Sequence, residues 1–291
     1  MFEGFTVSDV ETRGAVIRLV RGPLSGPPLL LMHGYPQTHA MWHKVAPALS
    51  ERFTVVATDL RGYGDSAKPP TDARHAPYSK RAMAEDQVEV MAALGFDEFF
   101  VAGHDRGGRV GHRMALDHPE RVLKLAVLDI VPTLEIFSTV NQEVATGYYH
   151  WFFLIQDFDL PETLIGADAE YYLRRKMGHW SARPDCFSDE AMAEYIRCFS
   201  DPAAIHASCE DYRAAAGIDL EHDRADLSRK IDCPLLALWG RDGLMERSFD
   251  VLSVWRARAA KVGGKALPCG HYLPEEAPEE TLSELIGFFA D

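Results

Sequence analysis

A mostly parallel α/β sheet flanked by helices, interrupted once by a run of helices, is the architecture this sequence predicts. Three observations lead there. Short apolar runs that suit buried parallel strands alternate with helix-period segments from residue 29 to about 132. Over 133–227 that rhythm stops, and aromatic-rich helical stretches with no buried strand replace it. Strand-like text then resumes at 233–239 and around 265–267.

Taken in order, residues 2–22 alternate weakly and suit an antiparallel edge hairpin, with 15–20 the better strand. Pro/Gly punctuation at 22–28 precedes a short buried strand at 29–32, which stops at His33-Gly34-Tyr35-Pro36. Glycine there permits a tight turn at the strand's carboxyl end, with N–H groups aimed into a cleft. Residues 41–50 read as a helix and 53–57 as a β-branched strand. The long helix over 78–94 turns Met83, Val90, Met91 and Leu94 inward and is closed by Gly95. A strand at 123–129 ends in Ile130-Val131-Pro132, and a last helix over 279–289 carries Leu282, Leu285, Ile286 and Phe289 at helical spacing. The helical insertion thus follows the sixth strand. The division expected is a core over 1–132, a helical cap over 133–229 and a second core part over 230–291.

The stretch with the most chemistry is FFVAGHDRGGRVGHRM, residues 99–114, in which an apolar strand runs into a sharp turn and a helix start. Gly103-His104-Asp105-Arg106-Gly107 has the form of a nucleophile elbow, where flanking small residues let a strained turn lift one side chain above the sheet. The lifted group is the carboxylate of Asp105, not a serine hydroxyl. A carboxylate attacks esters and amides poorly, but it can displace a leaving group from an alkyl carbon and form a covalent ester. The spelling therefore favours alkyl halide or epoxide chemistry. In this scheme the backbone N–H groups of Tyr35 and Arg106 form the two-donor oxyanion pocket.

Composition narrows the partners. With 30 Lys and Arg against 44 Asp and Glu the net charge is −14, which disfavours nucleic acid and leaves anion binding to locally placed arginines. The five cysteines (Cys186, Cys198, Cys209, Cys233, Cys269) are odd in number, scattered and without C-x-x-C spacing, so reduced thiols in a cytoplasmic protein are expected. No basic start with an apolar core and no run of eighteen apolar residues occurs, so neither secretion nor membrane insertion has a signal. The glycines of GHDRGGRVG lack the G-x-G-x-x-G pattern and no ligand-spaced cluster is visible, so neither a cofactor nor a metal is expected.

With HGYPQTHAMW, DLRGYGDSAKP, GHDRGGRV and GHYLPEEAP in that order, the chain resembles the α/β-hydrolases of the haloalkane dehalogenase and epoxide hydrolase branch. GHDRGGRVGHRMALDHP, LDIVPT, YYHWFFL and DPAAIHASCEDYRA extend the resemblance, across the insertion, to the fluoroacetate (haloacetate) dehalogenases. The resemblance implies an α/β-hydrolase core in which Asp105 is the nucleophile and His271 the base that activates water. His271 needs a carboxylate to fix its tautomer. Two compete: Asp129, at the end of the strand after the elbow helix, and Asp242 in Trp239-Gly240-Arg241-Asp242-Gly243. Many relatives place the acid three residues after that glycine, where this chain has Gly243. Asp129 is therefore preferred, in a LDIVPT context that resembles the haloacetate group.

Arg106 stands where epoxide hydrolases and haloalkane dehalogenases typically carry Trp. With Arg109 one turn along the same helix N-terminus, it suits a substrate bearing its own carboxylate, because guanidinium forks bind carboxylates in bidentate fashion. His150, Trp151 and Tyr212 match halide-pocket positions of the fluoroacetate dehalogenases, and each supplies an N–H or O–H donor. The expected activity is hydrolysis of a short 2-haloacid, haloacetate first, to the 2-hydroxyacid and halide. Two other readings stand beside it: an epoxide hydrolase using cap tyrosines such as Tyr148, Tyr149 and Tyr212, and a non-catalytic hydrolase-like receptor for a small acid. Dimers are common in the resembling group, so a homodimer belongs among the expectations.

Overall fold

In the computed structural model, which describes residues 1–290, eight strands form one sheet. They are β1 (Thr6–Glu11), β2 (Val16–Arg21), β3 (Pro28–Met32), β4 (Thr54–Thr58), β5 (Phe99–His104), β6 (Val122–Leu128), β7 (Leu235–Gly240) and β8 (Val262–Leu267). Their order across the sheet is β1-β2-β4-β3-β5-β6-β7-β8, parallel from β4 to β8. The first two strands pair antiparallel as an edge hairpin. Every residue of β4, β5 and β7 is buried, as expected of strands covered by helices on both faces. The order steps outward in both directions from β3 and β5, so the carboxyl ends of these neighbours frame the crevice where such sheets bind ligands.

Most expected elements are present with ends shifted by one or two residues. The 41–50 helix is the exception. That stretch holds a short 3₁₀ turn, His39–Trp42, and a separate four-residue helix, Ala46–Leu49. Pro47 lacks an N–H and tolerates only the first turn of a helix, so a new helix starts there and the earlier turn cannot run through it. The helix Lys80–Ala93 begins at Ser79, whose side chain accepts from the Ala82 N–H, and ends before Gly95 at φ +85°.

Between β6 and β7 the described residues hold eight α-helices, one 3₁₀ turn (Pro184–Cys186) and no strand: the α-helices are Thr133–Ser138, Gln142–Gly147, Tyr149–Phe153, Leu160–Gly166, Ala169–Trp180, Asp189–Phe199, Pro202–Ala216 and Ile218–Ala225. Buried polar contacts tie them to the sheet. Glu275, in the short helix Leu273–Glu276 after β8, accepts from Gln37 Nε2 after β3 and, at 3.1 Å, from the Tyr195 hydroxyl of the inserted helix Asp189–Phe199. Lys44 Nζ donates to the Cys186 and Glu275 carbonyls. No described helix is long and apolar enough to cross a membrane, and all five cysteines are unpaired.

Glu275 makes one stability prediction. It is 1% exposed, and burial pushes its carboxyl up to about 8, only partly offset by the bonds from Gln37 and Tyr195. Below its ordinary pKa of 4.5 both folded and unfolded chains hold the proton. Between about 4.5 and 8 only the folded chain does, so this residue makes stability fall as pH rises through that window. Glu275→Gln should therefore match the native chain near pH 5 and exceed it by roughly 2–4 kcal/mol at pH 9 in urea unfolding. An unchanged gap across that range would contradict the assignment.

Candidate active site

The elbow is built where β5 meets the helix Arg106–Asp117. Asp105 stands between them at φ 44° and ψ −112°, a conformation that costs a non-glycine residue energy and persists only where its surroundings enforce it. Three glycines do so. A Cβ on Gly103 would overlap the Gly107 carbonyl, one on Gly107 would overlap the Met32 and His33 carbonyls, and one on Gly34 would overlap Asp105 itself. The Gly107 N–H donates to the His33 carbonyl at 2.9 Å, fastening the elbow to the end of β3. As a result the Tyr35 N–H donates to Asp105 Oδ2 at 3.0 Å. Arg106 is the first helical residue, so its N–H has no intrahelical acceptor.

His271 lies after β8. Its Nδ1 is 2.6 Å from Asp129 Oδ2, while Asp129 Oδ1 accepts from the Gly240 N–H at 2.9 Å. Asp129 itself sits at φ 55° just past β6, which turns its carboxylate toward β7 and the histidine loop. Asp242 is exposed, its N–H donating to the Cys269 carbonyl at 3.0 Å, and the carboxylate that meets His271 is Asp129. With Nδ1 engaged, the buried Nε2 of His271 has no protein partner. Burial alone would raise the Asp105 pKa, but the positive potential from His271, Arg109 and Arg106 outweighs it and holds the carboxyl below its ordinary value. Asp105 is thus ionised, as an attacking carboxylate must be.

The two arginines are fully buried and differently committed. Arg106 gives Nε and Nη2 to the Asp211 carboxylate at 2.8 and 2.6 Å and Nη2 also to the Asp211 carbonyl, leaving Nη1 buried without a partner. The bidentate fork expected for a substrate is therefore spent inside the protein. Arg109 gives Nη1 to the Val131 carbonyl at 2.7 Å and keeps Nε and Nη2 unpartnered. What remains for an anion is one edge from each guanidinium. Their central carbons sit 5.5 and 4.6 Å from the Trp151 ring, and Arg106 also lies 4.1 Å over Tyr212.

His150, Trp151 and Tyr212 are brought together by the helices Tyr149–Phe153 and Pro202–Ala216. The His150 and Trp151 rings lie 5.4 and 5.6 Å from that of Tyr212, and all three residues are at most 1% exposed. His150 Nε2 and the Tyr212 hydroxyl are buried without partners. Unpartnered buried polar atoms are few in native structures, and those of Arg106, Arg109, His150, Tyr212 and His271 belong to one cluster above the sheet. A cavity of about 130 Å³ reaches His271 and Asp129 from beside Asp242 and Arg247, bordered by Tyr148 and Trp180. Among the described residues no group of three or more His, Cys, Asp or Glu is arranged to hold a metal.

Several supporting residues escape a reading of motifs. Asp211 holds Arg106 and is itself held by Lys80 Nζ and by the Tyr63 hydroxyl at 2.6 Å. Glu276 accepts from the N–H groups of Gly270 and Tyr272, which flank His271, and from those of Ala182 and Arg183 in the insertion. His104, pushed down to about 3 by burial, is neutral and donates from Nε2 to the His271 carbonyl at 2.8 Å. Apart from the bonds of Glu276 to Gly270 and Tyr272, these partners lie far away in sequence, so no local spacing announces them. The exception is Lys176, whose signal is a lysine on the inward face of Leu173, Met177 and Trp180.

Comparison with known proteins identifies the family. The sequence profile of the alpha/beta hydrolase fold matches residues 27–278. A fluoroacetate dehalogenase from Burkholderia sp is 49% identical over 292 residues, covering 100% of this chain and 96% of the relative. A soluble epoxide hydrolase from Corynebacterium sp. (strain C12) is 38% identical, covering 91% of each. Among solved structures, a Nostoc sp PCC 7120 protein described provisionally as an alpha/beta hydrolase superposes with a TM-score of 0.98 at 61% identity, covering 99% of each chain. With a profile over most of its length and relatives matched from end to end, the chain belongs to the α/β hydrolase family.

Proposed function

We propose that this protein hydrolyses a short 2-haloacid, haloacetate first, to the 2-hydroxyacid and halide, without a cofactor. The observation that carries the reading is the set of free guanidinium donors, Arg106 Nη1 and Arg109 Nε and Nη2, buried beside an ionised Asp105. Buried cationic donors with nothing to bind are costly, and a substrate carboxylate would satisfy both. In this mechanism an Asp105 oxygen attacks the carbon opposite the carbon–halogen bond. The new C–O bond forms an ester as halide departs with the bonding electron pair toward His150, Trp151 and Tyr212. Donors that tighten as negative charge grows lower the barrier more than they stabilise the ground state.

Hydrolysis completes the cycle. His271 Nε2 takes a proton from water, which adds to the Asp105 acyl carbon, while the N–H groups of Tyr35 and Arg106 hold the oxyanion. Collapse expels the hydroxyacid oxygen, which recovers the proton from His271, and Asp105, left as the acid, ionises with its proton passing to solvent. Asp129 fixes the His271 tautomer and stabilises its protonated form. The inserted helices over 133–229 act as a cap that supplies the leaving-group donors and keeps water scarce. The buried Tyr212 hydroxyl supports a second reading, epoxide hydrolysis, because it could protonate an epoxide oxygen. A neutral epoxide, however, leaves the guanidinium donors unsatisfied.

Halide release from fluoroacetate and chloroacetate, with an epoxide as control, separates the two. Release from the acids supports the proposal, whereas turnover of the epoxide alone contradicts it. Asp105→Asn should lower halide release by at least about 10³-fold. His271→Ala should release one halide per site and leave Asp105 carrying the substrate's ester, visible by peptide mass spectrometry; steady turnover without that adduct would remove His271 from its role. A chiral 2-chloropropionate should give inverted lactate, since only one displacement occurs at carbon, and retention would refute the mechanism. Arg109→Leu removes one charge-assisted contact and should raise KM for chloroacetate by about 10- to 100-fold. An unchanged KM would place the substrate carboxylate elsewhere.

A further inference from the structure

Lys176 is a buried cation for which the reaction above has no use. It is 1% exposed on the inward face of the helix Ala169–Trp180, beside Leu173 and Met177, where a methionine or leucine would pack. Unlike Lys80, which pairs with Asp211, it makes no ion pair among the described residues. Its ammonium instead lies 3.7 Å from the Trp180 ring centre and 4.5 Å from that of Tyr149, and its Nζ is 2.7 Å from His150 Nδ1. Burial pulls the ammonium well below its ordinary pKa, with Asp105 opposing that shift, and two aromatic faces replace part of the lost hydration.

This contact decides how His150 can act. A lysine ammonium has donors only, and a neutral imidazole has one donor and one acceptor nitrogen. Burial, with Lys176 next in weight, holds the His150 pKa well below its ordinary value, so the ring is neutral. If Nδ1 accepts from Lys176, the proton must be on Nε2, the buried nitrogen that has no partner. The ring cannot easily turn away, because it stacks on Tyr35 at 5.9 Å and meets Trp180 edge-on at 4.5 Å.

We infer that Lys176 is a positioning and specificity-determining residue: by donating to His150 Nδ1 it commits His150 to an Nε2–H donor and sets a positive charge behind it, tuning the pocket to a small, hard leaving anion such as fluoride. The inference rests on the reading of His150, Trp151 and Tyr212 as the leaving-group side. Coulomb energy varies inversely with distance, so the anion of smallest radius gains most from a fixed charge and a fixed donor.

Lys176→Met keeps the volume and removes the charge, and replacing a buried unpaired cation with an apolar side chain of that size is compatible with folding. Three readings test the inference: fluoride, chloride and bromide affinity by quenching of tryptophan fluorescence, the His150 tautomer by ¹⁵N NMR, and the ratio of kcat/KM for fluoroacetate to that for chloroacetate. Lys176→Met should weaken fluoride binding and lower the ratio by about tenfold or more each, with bromide affected least, since one charge-assisted contact is lost. Lys176→Arg should restore part of both. The unsubstituted protein should show the Nε2–H tautomer. Unchanged affinities and ratio in Lys176→Met, or an Nδ1–H tautomer in the unsubstituted protein, would overturn the inference while leaving dehalogenation standing. Absence of halide release from either acid by the unsubstituted protein would instead overturn the proposed function, and the halide titration would still decide the role of Lys176.

Discussion

In the proposed reaction a carboxylate must attack a carboxylate-bearing molecule and faces repulsion, and the buried cations around Asp105 oppose that repulsion. Two unit charges about 4 Å apart at an effective dielectric near 20 interact by about 4 kcal/mol, enough to exclude an anionic substrate from an otherwise neutral cleft. Arg106, Arg109 and Lys176 act electrostatically on Asp105 and Lys80 is buried behind Arg106 at Asp211, against which stand the buried carboxylates of Asp129, Asp211 and Asp219. Isolated buried charges are costly, so the network is paired wherever the chemistry permits: Asp211 takes Arg106, Lys80 and Tyr63 together. Among the donors left without partners are Arg106 Nη1, Arg109 Nε and Nη2, His150 Nε2 and the Tyr212 hydroxyl, of which Arg106 and Arg109 bear directly on Asp105. Selective incompleteness of this kind is how a folded chain reserves binding energy for a ligand.

The sheet and elbow were legible in the sequence because their signals are local. Apolar runs bounded by glycine and proline mark the strands, and the glycines around Asp105 spell a turn that only small residues permit. The 41–50 stretch shows where local reading fails, since apolar spacing suggested one helix and Pro47 divides it. Arg106 shows a different limit. Its residue type pointed to an anion, but its fork is occupied by Asp211, 105 residues away, and no spacing in the chain reveals that partner. His104 likewise acts on the His271 loop from the end of β5, and Glu276 joins that loop to Ala182 and Arg183 of the insertion, contacts that exist only once the sheet and inserted helices have met.

Two kinds of precision therefore coexist in the site. Asp105, the proposed nucleophile, sits with His271 and Asp129 on the carboxyl ends of strands and their loops, where the sheet fixes geometry. The donors of His150, Trp151 and Tyr212 come from short helices, held by stacked rings and by Lys176. On this division the sheet sets the reaction type and the insertion sets which molecule undergoes it, which is consistent with one family including both a fluoroacetate dehalogenase and an epoxide hydrolase among its members.

The most direct measurement is a crystal structure of Asp105→Asn soaked with chloroacetate. The account predicts the substrate carboxylate between Arg106 Nη1 and the free edge of Arg109, with chlorine directed at His150, Trp151 and Tyr212 and its carbon facing residue 105. A carboxylate bound away from both guanidinium groups, or chlorine pointing toward His271, would contradict it.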